Sequence, residues 1–287
     1  MGANREMSMR LFIGGMRGSR PCTGGAFEEF GGDTTSLLLV GSHGERIVLD
    51  AGTGMLVVTE QLAKMEPGEV TILFSHYHLD HMAGLMMNPL FHELGWSFTL
   101  AGPTFADGSV REAVTRLLTP PYWPISCEQM AARIEFADFN QDHMQVGTLS
   151  VRKCPVSHPG GCVAYRIDNV ENNLSLVFAT DIEWRACTDT QEKSFMKLCC
   201  EPEPADMLIM DAHFTLADID EFAGWGHTCW EDALEIAASA KVKRMLLAHH
   251  APEADDETLH SREQQVKKRF PGSAFARAGQ WLEIKRR

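Results

Sequence analysis

The segment Phe74–His81, with the sequence FSHYHLDH, constrains this chain more than any other stretch. Three histidines and one aspartate fall within six residues, directly after the apolar run Val70–Phe74. The β-branched content and length of that run predict a buried strand, so the polar side chains begin a loop at its carboxyl end. Imidazole nitrogen with carboxylate oxygen suits zinc, manganese or iron(II). The segment predicts a metal site made of His76, His78, Asp80 and His81.

Polar side chains of the same types recur where other apolar runs end. The runs at 46–49, 174–179, 207–210 and 244–248 have the composition of buried strands, and each is followed by an acidic residue or a histidine. Because side chains at strand ends converge on one rim of a sheet sandwich, we expect these residues to lie close together. Together with a histidine in a Ser-His-Pro-Gly turn, they are Asp50, His158, Asp181, Asp211 and His249.

The number of donors fits two metal ions better than one, since such a site needs about eight to ten donor positions, some filled by water. We assign the first ion to His76, His78 and His158, and the second to Asp80, His81 and His249. Asp181 bridges the ions, because a carboxylate has two oxygens. A hydroxide between the ions is then the predicted nucleophile. Asp50 is predicted to orient a histidine.

Helical spacing and turn residues place the other elements of the chain. A first strand is predicted at Met9–Gly14, followed by a glycine-rich loop from Gly15 to Gly32. That loop is too long for a simple connection, so we expect it to be functional or to pack over another part of the molecule. Helices are predicted at Met55–Lys64, Gly84–His92, Ser109–Leu118, Trp230–Ala240 and Asp256–Arg269.

The order of these ligands, His-x-His-x-Asp-His followed by a His, an Asp and a final His, resembles the metallo-β-lactamase superfamily. The resemblance extends from Gly14 to about Pro252 and implies an α/β (α+β) fold. That fold is an αββα sandwich of two mixed β-sheets flanked by helices, with the metals at one edge. The family pattern favours His249 over His250 as the ligand. Because no linker interrupts the sequence, residues 1–287 are predicted to form a single metallo-β-lactamase-like domain.

Finer features resemble the branch that contains tRNase Z and the phosphoribosyl cyclic phosphodiesterases. The segment Gly31–Ser36 is similar to its Gly-Gly-Asn-Thr-Ser turn, and Gly226–Thr228 is similar to its Gly-His-Ser-Thr element. Asp211 stands where the tRNase Z pattern has glutamate. The resemblance implies that Asp211 and His227 form a proton-donating pair. The predicted catalytic residues are Asp80, His227 and Asp211.

The same resemblance carries an expectation about the substrate. tRNase Z has a long arm between the third metal histidine and the bridging aspartate, whereas only residues 159–180 separate His158 from Asp181 here. A net charge of −13 also argues against an extended nucleic-acid surface. We therefore predict a dinuclear phosphodiesterase for a small cyclic or nucleotide phosphodiester, with zinc favoured over manganese or iron. The alternatives are a thioester or lactone hydrolase, or a metal-containing ligand sensor with little turnover.

Compartment and assembly are less constrained. No apolar run approaches the length of a membrane span, and Met1–Glu6 lacks the apolar core of a signal peptide. The eight cysteines form no Cys-x-x-Cys pair, which predicts reduced thiols in a cytoplasmic protein. Two questions stay open, whether the chain forms a homodimer and whether His250 assists His249. We expect substrate specificity to lie in Gly15–Gly32 and Tyr122–Pro124.

Overall fold

A computed structural model describes residues 8–285 of the chain. The prediction drawn from Met1–Glu6 therefore lies outside the described residues. Within residues 8–285, strands β1 to β14 form two seven-stranded sheets, and five α-helices cover them.

The first sheet combines antiparallel and parallel pairs. Its strands are β1 (Met9–Gly15), β2 (Ser36–Val40), β3 (Arg46–Leu49), β4 (Glu69–Leu73), β5 (Ser97–Gly102), β6 (Arg133–Asp138) and β14 (Trp281–Ile284). They lie in the order β14-β1-β2-β3-β4-β5-β6. Strands β14 to β3 pair antiparallel, and β3 to β6 pair parallel. The carboxyl ends of β3 and β4 are therefore neighbours.

The second sheet has a similar division. Its strands are β7 (His143–Val146), β8 (Leu149–Val156), β9 (Cys162–Asn169), β10 (Leu174–Ala179), β11 (Met207–Asp211), β12 (Met245–Ala248) and β13 (Ser273–Phe275). They lie in the order β13-β12-β11-β10-β9-β8-β7. Strands β7 to β10 pair antiparallel, and β10 to β13 pair parallel. The ends of β10, β11 and β12 therefore lie side by side.

Three apolar layers hold the sheets and helices together. Side chains of both sheets meet in a central core, among them Leu39 and Ile47 from the first sheet and Leu176 and Ile209 from the second. Helices α1 (Met55–Leu62) and α2 (Val110–Leu117) cover the outer face of the first sheet. Helices α3 (Asp189–Cys200), α4 (Trp230–Ser239) and α5 (Asp256–Arg269) cover that of the second. The predicted αββα sandwich of two mixed sheets is confirmed.

Two local predictions differ from the structure. The predicted helix Gly84–His92 is two separate 3-10 turns, Ala83–Met87 and Pro89–His92. Pro89 lacks an N–H and disfavours a helical conformation at Asn88, whose side chain instead accepts a hydrogen bond from the Leu90 N–H. Helix α3 was not predicted, although Thr188 and Gln191 form a capping box that marks its start.

The structure also addresses two further properties, membrane-spanning helices and cysteine pairing. No helix within residues 8–285 is long and apolar enough to cross a bilayer. All eight cysteines are free thiols.

A buried carboxylate ties α5 to the segment around β13. Glu263 is only 4% exposed, and its oxygens lie 2.7 Å from Arg277 Nη1 and 2.7 Å from Lys267 Nζ. It also accepts a hydrogen bond of 3.1 Å from the Phe275 N–H. Burial alone would raise the pKa of Glu263, but Arg277 and Lys267 lower it to about 2.

We predict that Glu263→Gln lowers the free energy of unfolding by about 3 kcal/mol at pH 7, because it removes the buried charge that pairs with both Arg277 and Lys267. The folded pKa of about 2 is below the ordinary value of 4.5, so this stability is complete above 4.5 and is lost as the pH falls towards 2. Urea unfolding of the metal-free protein at several pH values measures it. Glu257→Gln, exposed on the same helix, is the control. A difference unchanged down to pH 2 would contradict the prediction.

Candidate metal centre

The predicted ligands lie at one edge of the two sheets. The segment His76–His81 follows β4, and His158 follows β8. In the second sheet Asp181 follows β10, Asp211 ends β11, and His249 follows β12 directly. Because β10, β11 and β12 are parallel, their carboxyl ends deliver these three side chains to the same place.

Three residues of this edge have a left-handed backbone. The φ angles of Asp50, Asp181 and His249 are 57°, 58° and 57°, within two residues of the ends of β3, β10 and β12. Residues other than glycine rarely adopt this conformation, which costs about 1–3 kcal/mol and occurs preferentially at functional sites. The turn aims each side chain at the space between the sheets' ends.

His76, His78 and His158 form the first cluster, with their nearest ring nitrogens within 4.8 Å of one another. His158 Nε2 lies 3.1 Å from His78 Nδ1, and His158 Nδ1 donates to the Gly226 carbonyl at 2.9 Å. That hydrogen bond leaves Nε2 of His158 free to face the cluster. Gly226 has a φ of 90°, and a Cβ there would lie 2.2 Å from His158 Nδ1, so only glycine fits this close approach.

Asp80, His81 and His249 form the second cluster, and Asp181 lies between the two. Asp181 Oδ2 is 3.1 Å from His81 Nε2 and 3.2 Å from His249 Nδ1. Its other oxygen, Oδ1, is 3.8 Å from His158 Nε2. All seven predicted ligands are thus brought together, and the Asp181 carboxylate faces both clusters. Their coordination of a metal stays a prediction.

Unpaired buried atoms show that the site fits divalent cations. Within residues 8–285, His76 Nε2 and His249 Nε2 are buried without a hydrogen-bond partner. Buried polar atoms of this kind normally have partners. Four carboxylates, including Asp50 and Asp211, also meet here with little exposure, which requires positive charge nearby. A pair of divalent metals would satisfy both the donors and the charge.

The electrostatics keep His76 and Asp181 in the forms that bind metals. Burial and the neighbouring His81 lower the pKa of His76 well below its ordinary value, so its imidazole is neutral. Burial alone would raise the pKa of Asp181, but His249 and His81 lower it well below its usual range, so its carboxylate is ionised. A neutral imidazole and an ionised carboxylate are the ligand forms.

Asp50 is hydrogen-bonded to residues that hold the two clusters in position. Its carboxylate accepts hydrogen bonds from His81 Nδ1 at 2.8 Å, the Ser75 N–H at 2.7 Å and the Ser75 hydroxyl at 2.8 Å. Ser75 Oγ lies in turn 3.0 Å from His76 Nδ1. Asp50 therefore sets the orientation of one histidine directly and of a second through Ser75.

Asp211 and His227 are in direct contact beside the second cluster. His227 Nδ1 lies 2.9 Å from Asp211 Oδ2, although aspartate is one methylene shorter than glutamate. The Thr228 N–H donates to Asp211 Oδ1 at 3.0 Å and holds the histidine loop close to the end of β11. Asp211 Oδ2 also accepts from the Asp181 N–H at 3.1 Å. Burial alone would lower the pKa of His227, but the Asp211 carboxylate raises it.

His213 belongs to this site and was missed in the sequence. Its ring stacks on His227 with a centroid distance of 4.4 Å, and its Nδ1 lies 3.0 Å from the His249 carbonyl oxygen. Burial and the neighbouring His227 lower its pKa to about 3, so the ring is neutral. The sequence signal for His213 is its position two residues after Asp211, because side chains two apart in an extended chain point to the same side.

The Gly15–Gly32 loop packs over the site. This agrees with the expectation that the loop is either functional or packed over another part of the molecule. The Ser19 N–H donates to Asp80 Oδ2 at 2.9 Å. A Cβ on Gly18 would lie 2.4 Å from His249 Cδ2, so the backbone passes directly over that ring. His250 turns away, since its Nε2 lies 2.8 Å from the Ala276 carbonyl oxygen. It belongs to none of the candidate clusters formed by the described residues.

Comparison with known proteins gives a family and several relatives. A model described as "Beta-lactamase superfamily domain" matches residues 45–250. Ribonuclease Z of Clostridium tetani is 24% identical over 77% of this chain and 84% of its own length. The metallo-β-lactamase fold protein YhfI of Bacillus subtilis has a TM-score of 0.67 at 20% identity, covering 97% and 100% of the two chains. A diphosphatase of the PhnP family has a TM-score of 0.68 at 15% identity, covering 96% and 98%.

We predict that the protein binds about two equivalents of zinc or manganese and that Asp181→Asn or His158→Ala reduces this to about one or fewer, because each variant removes a shared or cluster donor. Elemental analysis after gel filtration measures the stoichiometry. His143→Ala, exposed on β7, is the control and should retain the full content. Full metal content in both site variants would contradict the ligand assignment.

We predict that Asp50→Asn weakens metal affinity by about 10- to 100-fold without removing a ligand, because the His81 ring loses its carboxylate partner. Competition with a chromophoric chelator measures the affinity. Asp142→Asn, an exposed aspartate on the loop before β7, is the matched control. Equal affinity in Asp50→Asn and the wild type would show that Asp50 does not act through His81.

Proposed function

The chain belongs to the β-lactamase superfamily, and from this premise we propose that it is a dinuclear phosphodiesterase for a small cyclic or nucleotide phosphodiester. The predicted family and the coarser enzyme class, a metal-dependent hydrolase, are confirmed by the family match and the similar proteins. The substrate, the metal and the roles of individual residues are the proposal.

Seven residues would hold the metals in this proposal. His76, His78 and His158 hold one ion, Asp80, His81 and His249 the other, and Asp181 both. When bound, a pair of divalent cations lowers the pKa of water towards neutrality and offsets the charge that develops on a phosphoryl group. The protein supplies the spacing, since Asp181 is held by its backbone to Asp211 and Asp50 orients His81.

The observation that carries the proposal is the contact between His227 and Asp211. An alkoxide leaves a phosphodiester poorly unless a positioned acid protonates it. His227 is 7% exposed, and its Nδ1–H donates to the Asp211 carboxylate at 2.9 Å, which leaves Nε2 for the substrate. Asp211 also favours the protonated ring by raising the pKa of His227 above its ordinary value. A proton donor of this kind suits a substrate with a poor leaving group.

The structure between His158 and Asp181 favours a small substrate over tRNA. Strands β9 and β10 fill most of this stretch and form an antiparallel hairpin. Only residues 170–173 connect the two strands, so there is no inserted arm. The acidic balance of the chain, at −13, does not favour a long polyanion either. We therefore propose that the ribonuclease Z relatives share the scaffold while this chain acts on a smaller phosphodiester.

We predict that His227→Ala lowers kcat/KM by about 10²- to 10⁴-fold for a phosphodiester with an alkoxide leaving group. The loss for bis-p-nitrophenyl phosphate should be much smaller, because p-nitrophenolate leaves without a proton. Steady-state kinetics of the zinc- and manganese-loaded protein measure both values. His92→Ala, an exposed histidine outside the site, is the control.

The alternatives are separated by a parallel assay with a thioester, a lactone and a precursor tRNA. The phosphodiesterase proposal would be rejected if only the thioester or the lactone were hydrolysed and His227→Ala did not change the rate. Efficient 3′ processing of the tRNA would reject the restriction to small substrates. Metal binding without turnover of any substrate would favour the ligand sensor.

A further inference from the structure

A cavity of about 640 Å³ opens beside the first cluster and is not used by the chemistry described above. His76 and His78 form part of its wall, so a group in this cavity would lie next to a phosphoryl group held at the metal centre. Its volume lies within the roughly 300–1,000 Å³ typical of small-molecule sites. It is larger than a bare cyclic phosphate would require.

Aromatic rings line the cavity on more than one side. Tyr77 and Phe105 meet edge to face, with a centroid distance of 5.7 Å, and the Tyr77 hydroxyl donates to the Pro103 carbonyl at 2.5 Å. Tyr122 stands at the mouth with 75% of its surface exposed. Trp123, the neighbouring aromatic residue of the predicted specificity segment, does not line the cavity and packs against the outer core of the first sheet. Flat aromatic ligands stack favourably on such faces.

The rest of the wall is mainly aliphatic. Leu79, between two metal-ligand candidates, is 65% exposed, and Met82 and Met86 follow it, Met86 within the 3-10 turn Ala83–Met87. Helix α2 contributes Ala113 and Leu117, which lie four positions apart on one helical face. Methionine side chains adapt their shape to a ring. Exposed apolar side chains gathered at a catalytic opening indicate a binding surface.

The charges of the wall limit the ligand. Among the described residues that line the cavity, Arg116 is the single one with a permanent positive charge, and it is exposed. Its Nη1 donates to the Asp107 backbone carbonyl at 3.1 Å, and Asp107 also lines the cavity. One cation beside one carboxylate gives no net attraction for a second phosphate. The cavity suits an uncharged ring rather than a further charged group.

We propose that this cavity binds a flat aromatic ring attached to the scissile phosphodiester, so the substrate class is a phosphodiester carrying one uncharged aromatic group of the size of a purine. This inference rests on the proposed phosphodiesterase function for its chemistry, and on the cavity for its specificity. The ring lies among Tyr77, Phe105 and Tyr122, with the phosphoryl group at the first cluster.

The first arm of the test is binding without a phosphate. Calorimetry of the zinc-loaded protein should show adenosine binding at least about tenfold more tightly than ribose, a difference typical of stacking on an aromatic side chain. Tyr122→Ala should weaken adenosine binding about tenfold. Because Tyr122 is 75% exposed, its truncation removes little packing from the fold. Leu117→Glu places a carboxylate in the cavity and should abolish binding. Leu94→Ala, 82% exposed elsewhere, is the control.

The second arm compares turnover of adenosine 2′,3′-cyclic phosphate with that of 1-O-methylribose 2′,3′-cyclic phosphate, which lacks the base. The wild type should prefer the first by at least about tenfold in kcat/KM, and Tyr122→Ala should reduce this preference towards unity. Leu94→Ala, which lies outside the cavity, should leave both kcat/KM values unchanged.

The two proposals fail in different ways. Equal turnover of both cyclic esters, with adenosine binding no better than ribose, would overturn the aromatic subsite and leave the phosphodiesterase intact. Absence of turnover, with adenosine binding that depends on Tyr122, would reject the phosphodiesterase and retain the subsite. Adenosine binding that Tyr122→Ala and Leu117→Glu both leave unchanged would overturn the cavity as its location.

Discussion

The Asp181 carboxylate is the group on which the arrangement of this site depends. It is buried between the two histidine clusters, with its oxygens 3.1 Å from His81 Nε2, 3.2 Å from His249 Nδ1 and 3.8 Å from His158 Nε2. An ionised carboxylate in such a place is stable only if positive charge surrounds it. Its left-handed backbone has a φ of 58°, and its N–H donates a hydrogen bond to Asp211. Both features hold the carboxylate in place. The cost of burial and strain is thus concentrated where divalent cations would offset it.

The fold supplies this carboxylate with partners by aligning strand ends. Parallel pairing of β10, β11 and β12 places Asp181, Asp211 and His249 at one level, while β3 and β4 bring Asp50 and the segment His76–His81 from the other sheet. The central apolar core sets the separation of the sheets. The close-packed interior resists changes in that spacing, so donors that are distant in sequence stay within reach of a common pair of ions.

The surroundings of the centre differ from one side to the other. On one side, His227 and Asp211 form a buried hydrogen-bonded pair, and His213 stacks against His227. On another, the cavity beside His76 and His78 is apolar and aromatic. The loop containing Gly18 and Ser19 closes a third side. In our proposal the His227–Asp211 pair protonates the leaving group, the cavity binds the organic part of the substrate, and the two clusters hold the metals that bind the phosphoryl group.

The sequence by itself determined the family, through the resemblance carried by FSHYHLDH and the later histidines and aspartate, and that resemblance implied the sheet sandwich. The side chains that converge could also be located, because each follows an apolar run or a turn that is visible as short-range order. The sequence did not determine the break at Pro89, helix α3, the stacking of His213, or the turn of His250 towards Ala276. Nor did it indicate which of Tyr122 and Trp123 faces the cavity. These features depend on which surfaces meet once the two sheets close on each other. Orientation is decided by packing between segments far apart in the chain, and a local pattern of residue types carries no information on it.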